Sequence, residues 1–518
     1  MKLDRRVTLV SALSCLTALL TLSVTAALGD VKLPHVFGSH MVLQRDIALP
    51  VWGWASPGEE VTVSLAGHST STEANALGRW EVKLPPLKVG GPHTMMVVGS
   101  NKIKLEDVLV GEVWLCSGQS NMEMGINTVE NGEQEVARAD HPNIRLLQLP
   151  WKTAAEPQPD IECHWRVCKP ETLGSGGWGN VGFSAVAYFF GREIHKEVGV
   201  PVGLIDSTWG GTLIEPWTPS VGFEAAPLLT DIVRTIREAT PNYERDVTAA
   251  LTIHEQWLAD ARSAQDAGQP VPPRPDWPRH QLDHHTQPTG IYNAMIHPLV
   301  PFSIRGAIWY QGESNHKDGM LYFEKMKALI GGWRQVWGQG EFPFYFVQIA
   351  PFDHLYTDDQ LPRLWEAQTA ALSIPNTGMA VTNDIGDLED IHPTNKLDVG
   401  RRLALWALAK TYAKTGINYS GPLYKSMAVE DDRIRIHFDH AGKGLTSRDD
   451  KPLTWFTIAG QDRKFVEAKA QIDGNSVVVW SEEVKRPIAV RFAWSRSAEP
   501  NLMNEDGLPA SAFRTDDW

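Results

Sequence analysis

The hydrophobic pattern at both ends of the chain is typical of β-strands. Short apolar segments alternate with polar residues at period two and are separated by Gly, Pro, Asn and Asp, as in Glu60–Leu65 and Ser476–Trp480. This pattern is typical of antiparallel β-sheets with one face buried. We therefore expect a β-sandwich domain over residues 30–106 and a second β domain over residues 417–518.

The middle of the chain has a different hydrophobic pattern, which predicts alternating strands and helices. Val108–Leu115 and Ile304–Trp309 are apolar runs of strand length, and the apolar residues of Phe183–Val198 recur at helical spacing up to Gly199. Such alternation favours a doubly wound, mainly parallel sheet. We predict that this α/β domain occupies residues 107–416.

One part of the α/β region does not follow the alternation. Residues from about Leu228 to Ala267 are predicted to be helical with a break at Pro241, because proline removes a helical hydrogen bond. A proline-rich linker, Gln269–Pro278, follows. We interpret the stretch from about 223 to 278 as an insertion in the domain.

Composition indicates a globular protein whose main partner is not a nucleic acid. The 518 residues are 42% hydrophobic and 21% charged, and 62 acidic residues against 48 basic ones give a net charge of -14. A phosphate backbone is bound by a basic face, and the sequence has no run rich in Lys and Arg. A small neutral or mildly anionic substrate is compatible with this charge.

The first 29 residues have the pattern of a secretory signal peptide. A basic start is followed by an apolar stretch, from Val7 to about Val24, and by small residues up to Gly29. We expect a secreted or periplasmic protein without a stable membrane span after cleavage; the alternative is an N-terminal membrane anchor. In an oxidising compartment Cys163 and Cys168 are close enough in sequence to form a disulfide.

The first candidate for chemistry is the segment L-C-S-G-Q-S-N-M-E, residues 115–123. It follows an apolar strand, and the carboxyl ends of strands are where open α/β sheets bind their ligands. Ser120 is the candidate nucleophile. The alternatives are an ordinary Gly-Ser turn and Cys116 as the nucleophile, although a cysteine in an apolar strand is typical of core packing.

The second candidate is His392, which lies among four carboxylates after another apolar segment. These are Asp384, Asp387, Glu389 and Asp390. Histidine can take the proton of a serine hydroxyl near neutral pH, and a carboxylate can orient its ring. A solvated loop and a metal site are the alternatives, and the spacing is not that of an EF-hand.

Acyl transfer also requires donors for the oxyanion. Gly210 and Gly211 follow the predicted strand Val200–Asp206 and offer backbone N–H groups, and Gln311 or Asn315 offers a side-chain amide after Ile304–Trp309. Because parallel strands end at one edge of their sheet, we expect these turns to meet near the serine.

Taken together, these segments resemble a known family. The resemblance rests on G-Q-S-N-M (118–122), W-G-G-T (209–212), W-Y-Q-G-E-S-N (309–315) and D-I-H-P (390–393). In this order they look like the sialate O-acetylesterase family of SGNH-type hydrolases. M-V-L-Q-R (41–45) and G-L-P-A (507–510) extend the resemblance over nearly the whole chain after the signal segment.

The resemblance implies a flavodoxin-like SGNH hydrolase fold of three layers with flanking β-sandwich domains. It assigns Ser120 as nucleophile, His392 as general base and then acid, and Asp390 as orienting carboxylate. SGNH hydrolases have Asp three residues before His, where this chain has Glu389. The third member therefore stays open among Asp390, Glu389 and Asp387, with a Ser-His dyad as the alternative.

The implied activity is hydrolysis of O-acetyl groups from sugars, foremost O-acetylated sialic acid, without a metal or organic cofactor. Glu313 is a candidate substrate contact or a structural ion pair, and Arg363 a candidate for the sialate carboxylate or an ordinary helix-surface arginine. The alternative substrates are acetyl xylan and other acetylated polysaccharides. A non-catalytic carbohydrate-binding protein and a glycosidase are the alternatives from other classes, and the oligomeric state stays open.

Overall fold

The N-terminal strands form β-sheets of the predicted kind in the computed structural model, which describes residues 30–518. The signal-peptide prediction lies outside this range. In Glu60–Leu65 the apolar side chains are buried and the polar ones are more exposed, as the alternation predicts. The strands are β1 (Val42–Gln44), β2 (Leu49–Trp54), β3 (Glu60–Leu65), β4 (His68–Glu73), β5 (Arg79–Leu84) and β6 (Gly90–Val98).

The next strand, β7 (Lys102–Gly118), joins the N-terminal sheet to the central one. Its first half pairs with β6, and its second half pairs with strands of the central sheet. The predicted domain boundary between residues 106 and 107 therefore falls within one continuous strand. The division into domains stays a prediction.

A buried carboxylate fixes this junction. Glu112 on β7 is fully buried and accepts hydrogen bonds from Arg305 Nε at 2.5 Å, from Gln44 Nε2 at 3.2 Å and from Arg45. A buried carboxylate is stable only when charged and polar partners satisfy it. Glu112 thereby ties the N-terminal segment to the start of a central strand.

The central sheet is mainly parallel, as the sequence predicts. Its strand order is β13-β12-β11-β7-β10-β8-β9, and only the edge strand β9 is antiparallel among these neighbours. The strands are β8 (His141–Gln148), β9 (Trp165–Cys168), β10 (Val202–Thr208), β11 (Gly306–Tyr310), β12 (Phe344–Val347) and β13 (Thr377–Ala380).

Helices cover the central sheet in two groups. The helix predicted over Phe183–Val198 is observed over Ala185–Val198; the Ser184 hydroxyl caps it, and Gly199 ends it at φ 72°. It packs against α9, while α5, α7 and α8 pack together. The α-helices are α1 (Ser120–Glu123), α2 (Gly132–Ala137), α3 (Pro170–Leu173), α4 (Ala185–Val198), α5 (Ser220–Glu224), α6 (Thr230–Asp266), α7 (Leu321–Trp337), α8 (Gln360–Ala370) and α9 (Lys396–Trp406).

The C-terminal region forms small antiparallel sheets, as predicted. Their orders are β14-β15-β20-β19, β18-β17-β21-β23 and β16-β22. The strands are β14 (Leu423–Glu430), β15 (Arg433–Asp439), β16 (Leu445–Ser447), β17 (Phe456–Ala459), β18 (Phe465–Glu467), β19 (Lys469–Asp473), β20 (Ser476–Trp480), β21 (Ala489–Phe492), β22 (Leu502–Asn504) and β23 (Phe513–Arg514).

Two expectations about local structure are wrong. Helix α6 continues through Pro241 without a break, because the helical bonds on either side hold the turn that lacks one N–H donor. Cys163 and Cys168 are both free and buried, so the predicted disulfide is absent. No helix in residues 30–518 is long and apolar enough to cross a membrane.

Candidate active site

Three neighbouring strands of the central sheet end at the same level. Gly118 at the end of β7 pairs with Thr208 at the end of β10 and with Tyr310 at the end of β11. The segments that follow these residues contain the serine, the Gly-Gly pair and the Q-G-E-S-N motif. The register of the sheet thus brings together the segments that the sequence analysis selected.

The turn that carries the candidate nucleophile depends on Gly118. This residue has φ 143°, and a Cβ atom on it would lie 2.1 Å from the carbonyl oxygen of Tyr310. A side chain at this position is therefore excluded by both backbone conformation and space. The chain turns here, and Ser120 becomes the first residue of the short helix α1.

His392 reaches Ser120 from the loop that follows β13. The Nε2 atom of His392 and the Oγ atom of Ser120 are 2.9 Å apart, which is hydrogen-bond distance. The loop is tied to α9 by Arg402, which pairs with both oxygens of Asp384 at 2.7 Å. The geometry is that of a nucleophile and a general base.

Of the three carboxylates considered for the third position, Asp390 lies beside His392. Its Oδ1 atom is 3.5 Å from His392 Nδ1 and accepts the backbone N–H of His392 at 2.9 Å. Asp387 accepts backbone N–H groups within its own loop, and Glu389 pairs with His354 at 3.0 Å. Asp390 thus has the geometry of the orienting carboxylate, although its side chain is 61% exposed.

The surroundings of His392 favour its neutral form. Desolvation lowers the pKa of His392 below its ordinary value, and the charge of Lys396 acts in the same direction, while Asp390 opposes both. Only neutral imidazole can accept the proton of a serine hydroxyl. The site therefore favours the protonation state that a general base requires.

The Gly210 turn lies against Ser120 but is already hydrogen-bonded. A Cβ atom at Gly210 would lie 3.3 Å from Ser120 Cβ, so the two residues are neighbours. The Gly210 N–H donates to Glu123 Oε2 at 2.7 Å. None of the hydrogen bonds found within residues 30–518 uses the N–H of Gly211 or that of Ser120, so these two amides are the open donors.

Gln311 and Asn315 lie behind the site and do not line its cavity. The Gln311 amide donates to the Thr212 carbonyl at 3.1 Å and to Asn315 Oδ1 at 2.7 Å. The Asn315 amide donates to Asp318 at 2.7 Å and to Glu215 at 3.1 Å. Contrary to the sequence expectation, these amides join loops and are not directed at an oxyanion.

Glu313 belongs to a buried chain of polar groups beneath the serine. Asn121 Nδ2 donates to Glu313 Oε1 at 2.6 Å and to the Ile391 carbonyl at 3.0 Å, and Asn121 Oδ1 accepts from Lys396 Nζ at 2.6 Å. Burial raises the pKa of Glu313 and lowers that of Lys396 to about 7. The other carboxyl oxygen of Glu313 is buried without a partner within the described chain.

A cavity of about 910 Å³ opens over these groups. Ser120, His392, Asp390, Gly210, Gly211 and Glu313 all line it. Trp151 also lines it and stacks on Trp209, with ring centroids 5.1 Å apart and planes at 2°. An aromatic side chain beside polar groups suits contact with a sugar ring, and Trp151 supplies one here.

Among the residues that the sequence analysis missed, four make hydrogen bonds in or beneath the site. Asn121 and Glu123 stand in the serine motif itself, and Glu123 is three residues after Ser120, on the same side of a helix. Lys396 follows His392 by four residues. Lys396 and Trp151 both lie outside the quoted motifs, and nothing in the sequence connects Trp151 with Ser120.

Fold and site together define the class of protein. A serine paired with a histidine at the carboxyl edge of a parallel sheet is the arrangement with which serine hydrolases attack esters. No group of three or more His, Cys, Asp or Glu side chains suited to a metal occurs in residues 30–518. The arrangement is that of a serine esterase.

Comparisons with known proteins identify the family. The profile of the family described as carbohydrate esterase, sialic acid-specific acetylesterase (SASA) matches residues 110–269 and 279–409. Mouse sialate O-acetylesterase is 29% identical, with 88% of each chain covered, and the human protein is 32% identical over 74% of this chain and 71% of its own. A crystal structure of a carbohydrate acetylesterase from Xanthomonas citri is similar with TM-score 0.79 and 36% identity, covering 94% of this chain and 100% of its own.

The chain therefore belongs to this family and is a carbohydrate esterase that removes O-acetyl groups. The matched residues contain the three level strand ends and the His392 loop. They also contain helix α6, and the match is interrupted at residues 270–278.

We predict that Asn121→Ala strongly destabilises the protein. The change leaves a buried ammonium and a buried carboxyl group without their common partner, which costs about 3–5 kcal/mol of unfolding free energy. The measurement is chemical denaturation, with Asn242→Ala on exposed helix α6 as the control, expected within about 0.5 kcal/mol of wild type. Equal stability of the two variants would contradict the buried network.

Proposed function

We propose that the enzyme hydrolyses O-acetyl groups of sialic acid through an acetyl-Ser120 intermediate, with His392 as base and acid and Asp390 as orienting carboxylate. The observation that carries this proposal is the 2.9 Å contact between Ser120 Oγ and His392 Nε2 on the wall of the 910 Å³ cavity. The names of the mammalian relatives support sialic acid as the sugar.

In the first half-reaction Ser120 Oγ attacks the acetyl carbonyl carbon while His392 Nε2 takes the hydroxyl proton. Negative charge develops on the carbonyl oxygen, where the open N–H groups of Ser120 and Gly211 are the proposed donors. The bond between the carbonyl carbon and the sugar oxygen then breaks. His392 returns the proton to that oxygen, and the sugar leaves with a free hydroxyl group.

In the second half-reaction water replaces the sugar. His392 takes a proton from the water as its oxygen attacks the acetyl-Ser120 carbonyl, and the proton returns to Ser120 Oγ as acetate leaves. No step requires a metal or an organic cofactor. The net charge of -14 argues against a nucleic acid as the partner.

The cavity has features that suit an anionic sugar. Lys317 lines it and brings a cationic side chain to a surface that also carries Trp151. Arg363, the arginine considered from the sequence, pairs with Asp359 on its own helix at 2.8 Å. Lys317 is therefore the better candidate for the sialate carboxylate.

We also propose that the enzyme is exported. Support comes from the basic, apolar and small-residue order of segment 1–29. N-terminal sequencing of the protein recovered outside the cytoplasm tests this proposal, with a start near Asp30 expected.

The substrate test measures acetate release from O-acetylated sialic acid and from acetylated xylan in parallel. We expect wild type to prefer sialic acid and Ser120→Ala to lose roughly 10⁴- to 10⁶-fold in kcat, since it lacks the nucleophile. Ser426→Ala on strand β14 is the control and should match wild type. Faster acetate release from xylan would make xylan, and not sialic acid, the preferred substrate. An active Ser120→Ala variant would refute the proposal that Ser120 is the nucleophile.

The orienting carboxylate is tested by the titration of His392. Asp390 stabilises the imidazolium, so Asp390→Asn should lower the pKa of His392 further, as measured by NMR of labelled histidine. We expect kcat to fall by roughly tenfold to a hundredfold. Glu389→Gln is the matched control, because Glu389 pairs with His354. A larger loss in Glu389→Gln would make Glu389 the third member.

A further inference from the structure

The mechanism above gives no role to Glu123, although this residue lines the cavity. Glu123 ends helix α1, which begins at Ser120. Its Oε2 atom accepts the Gly210 N–H at 2.7 Å, and its Oε1 atom accepts the indole N–H of Trp151 at 2.8 Å. One carboxyl group therefore joins the nucleophile helix, the turn after β10 and the aromatic side of the cavity.

The two groups that Glu123 binds are connected through a stack of two tryptophan rings. Trp151 stacks on Trp209, and Trp209 is the residue directly before Gly210. The Trp151 indole N–H also lies 3.0 Å from the Thr208 carbonyl, at the end of β10. The carboxyl group thus holds both ends of the Trp151–Trp209 stack, and it does so from the helix that carries Ser120.

The surroundings make these contacts strong and sensitive to substitution. Burial, and to a lesser degree the charge of Asp206, raises the pKa of Glu123 to about 7, and the two N–H donors oppose this. When Glu123 is ionised, its hydrogen bonds from N–H groups away from water are stronger than those between neutral groups. A Cβ at Gly210 would lie only 2.9 Å from Glu123 Oε2, so the carboxyl group packs closely against this turn.

We propose that Glu123 is a positioning residue for deacetylation, which fixes the Gly210 turn and the Trp151–Trp209 stack relative to Ser120. The proposal rests on the proposed role of Ser120 in an acetyl-enzyme mechanism. Through the turn, Glu123 sets the place of the acetyl carbonyl. Through Trp151, it sets the place of the sugar ring, so that ester and sugar are aligned by one carboxyl group.

The test compares two acetyl esters, an O-acetylated sugar and 4-nitrophenyl acetate, which has no sugar ring. Glu123→Gln keeps the shape but has one acceptor oxygen for two N–H donors. We expect its kcat/KM to fall roughly tenfold to a hundredfold on the sugar ester, because a shift of about 1 Å in a positioning group has effects of this size. The fall on 4-nitrophenyl acetate should be smaller, because this ester has no sugar ring for Trp151 to place. Glu133→Gln, an exposed carboxylate on α2, is the control and should match wild type.

Trp151→Phe is the second variant of the test. It keeps an aromatic ring at residue 151 and the Glu123 carboxylate, but it lacks the indole N–H that donates to Glu123. We expect the ratio of kcat/KM on the sugar ester to that on 4-nitrophenyl acetate to fall roughly tenfold, mainly through KM for the sugar. A purely structural role would lower both esters equally. Thermal unfolding of each variant is measured alongside, and Trp151→Phe decides the proposal if Glu123→Gln does not fold.

Three results would overturn the proposal: unchanged kcat/KM on both esters in Glu123→Gln, increased activity of that variant, or an unchanged ester ratio in Trp151→Phe. Failure of the proposed function has a different signature. In that case Ser120→Ala keeps its activity on 4-nitrophenyl acetate, or wild type cleaves this ester but releases no acetate from any acetylated sugar.

Discussion

The close backbone contact between Gly118 and Tyr310 is the constraint on which the site depends. A Cβ atom at residue 118 would lie 2.1 Å from the Tyr310 carbonyl oxygen, so a side chain does not fit there. In addition, only glycine readily adopts φ 143°. The contact lets β7 turn into helix α1 at the level where β10 and β11 also end. Ser120, the Gly210 turn and the Q-G-E-S-N segment are neighbours because these strands are in register.

Charged groups removed from water hold the segments together. The Glu313–Asn121–Lys396 chain lies beneath the serine and reaches the His392 loop through the Ile391 carbonyl. Such groups are costly to bury, and breaking one contact leaves the others unsatisfied. Desolvation of His392 lowers its pKa, and the charge of Lys396 from this network acts in the same direction, which favours the neutral base. The network that stabilises the site therefore also prepares its chemistry.

Much of the fold could be predicted from the sequence because the relevant signals are local. Helix α4 has apolar residues at helical spacing, a Ser184 cap and a terminating Gly199, and the alternating strands of the N-terminal domain are equally explicit. The continuity of α6 through Pro241 could not be predicted in this way, since the flanking helical bonds, and not the local propensity, decide it.

The candidate site, like the fold, could be predicted from the sequence only in part. Ser120, His392 and the Gly-Gly turn could be selected because they follow apolar strands, and parallel strands end together. The hydrogen-bond partners of these groups could not be predicted. The Gln311 amide donates to the Thr212 carbonyl, and the Gly210 N–H donates to Glu123. These partners lie about a hundred residues apart in the sequence, so only the folded chain reveals them.

The acetyl-enzyme is the central claim, and its direct measurement is mass mapping of protein quenched with acid during turnover of an O-acetylated sugar. The account predicts one acetyl group on the peptide that contains Ser120, formed in wild type and not in Ser120→Ala. Release of acetate with no acetylated peptide, even with deacylation slowed, would contradict the account, as would an acetyl group on Cys116.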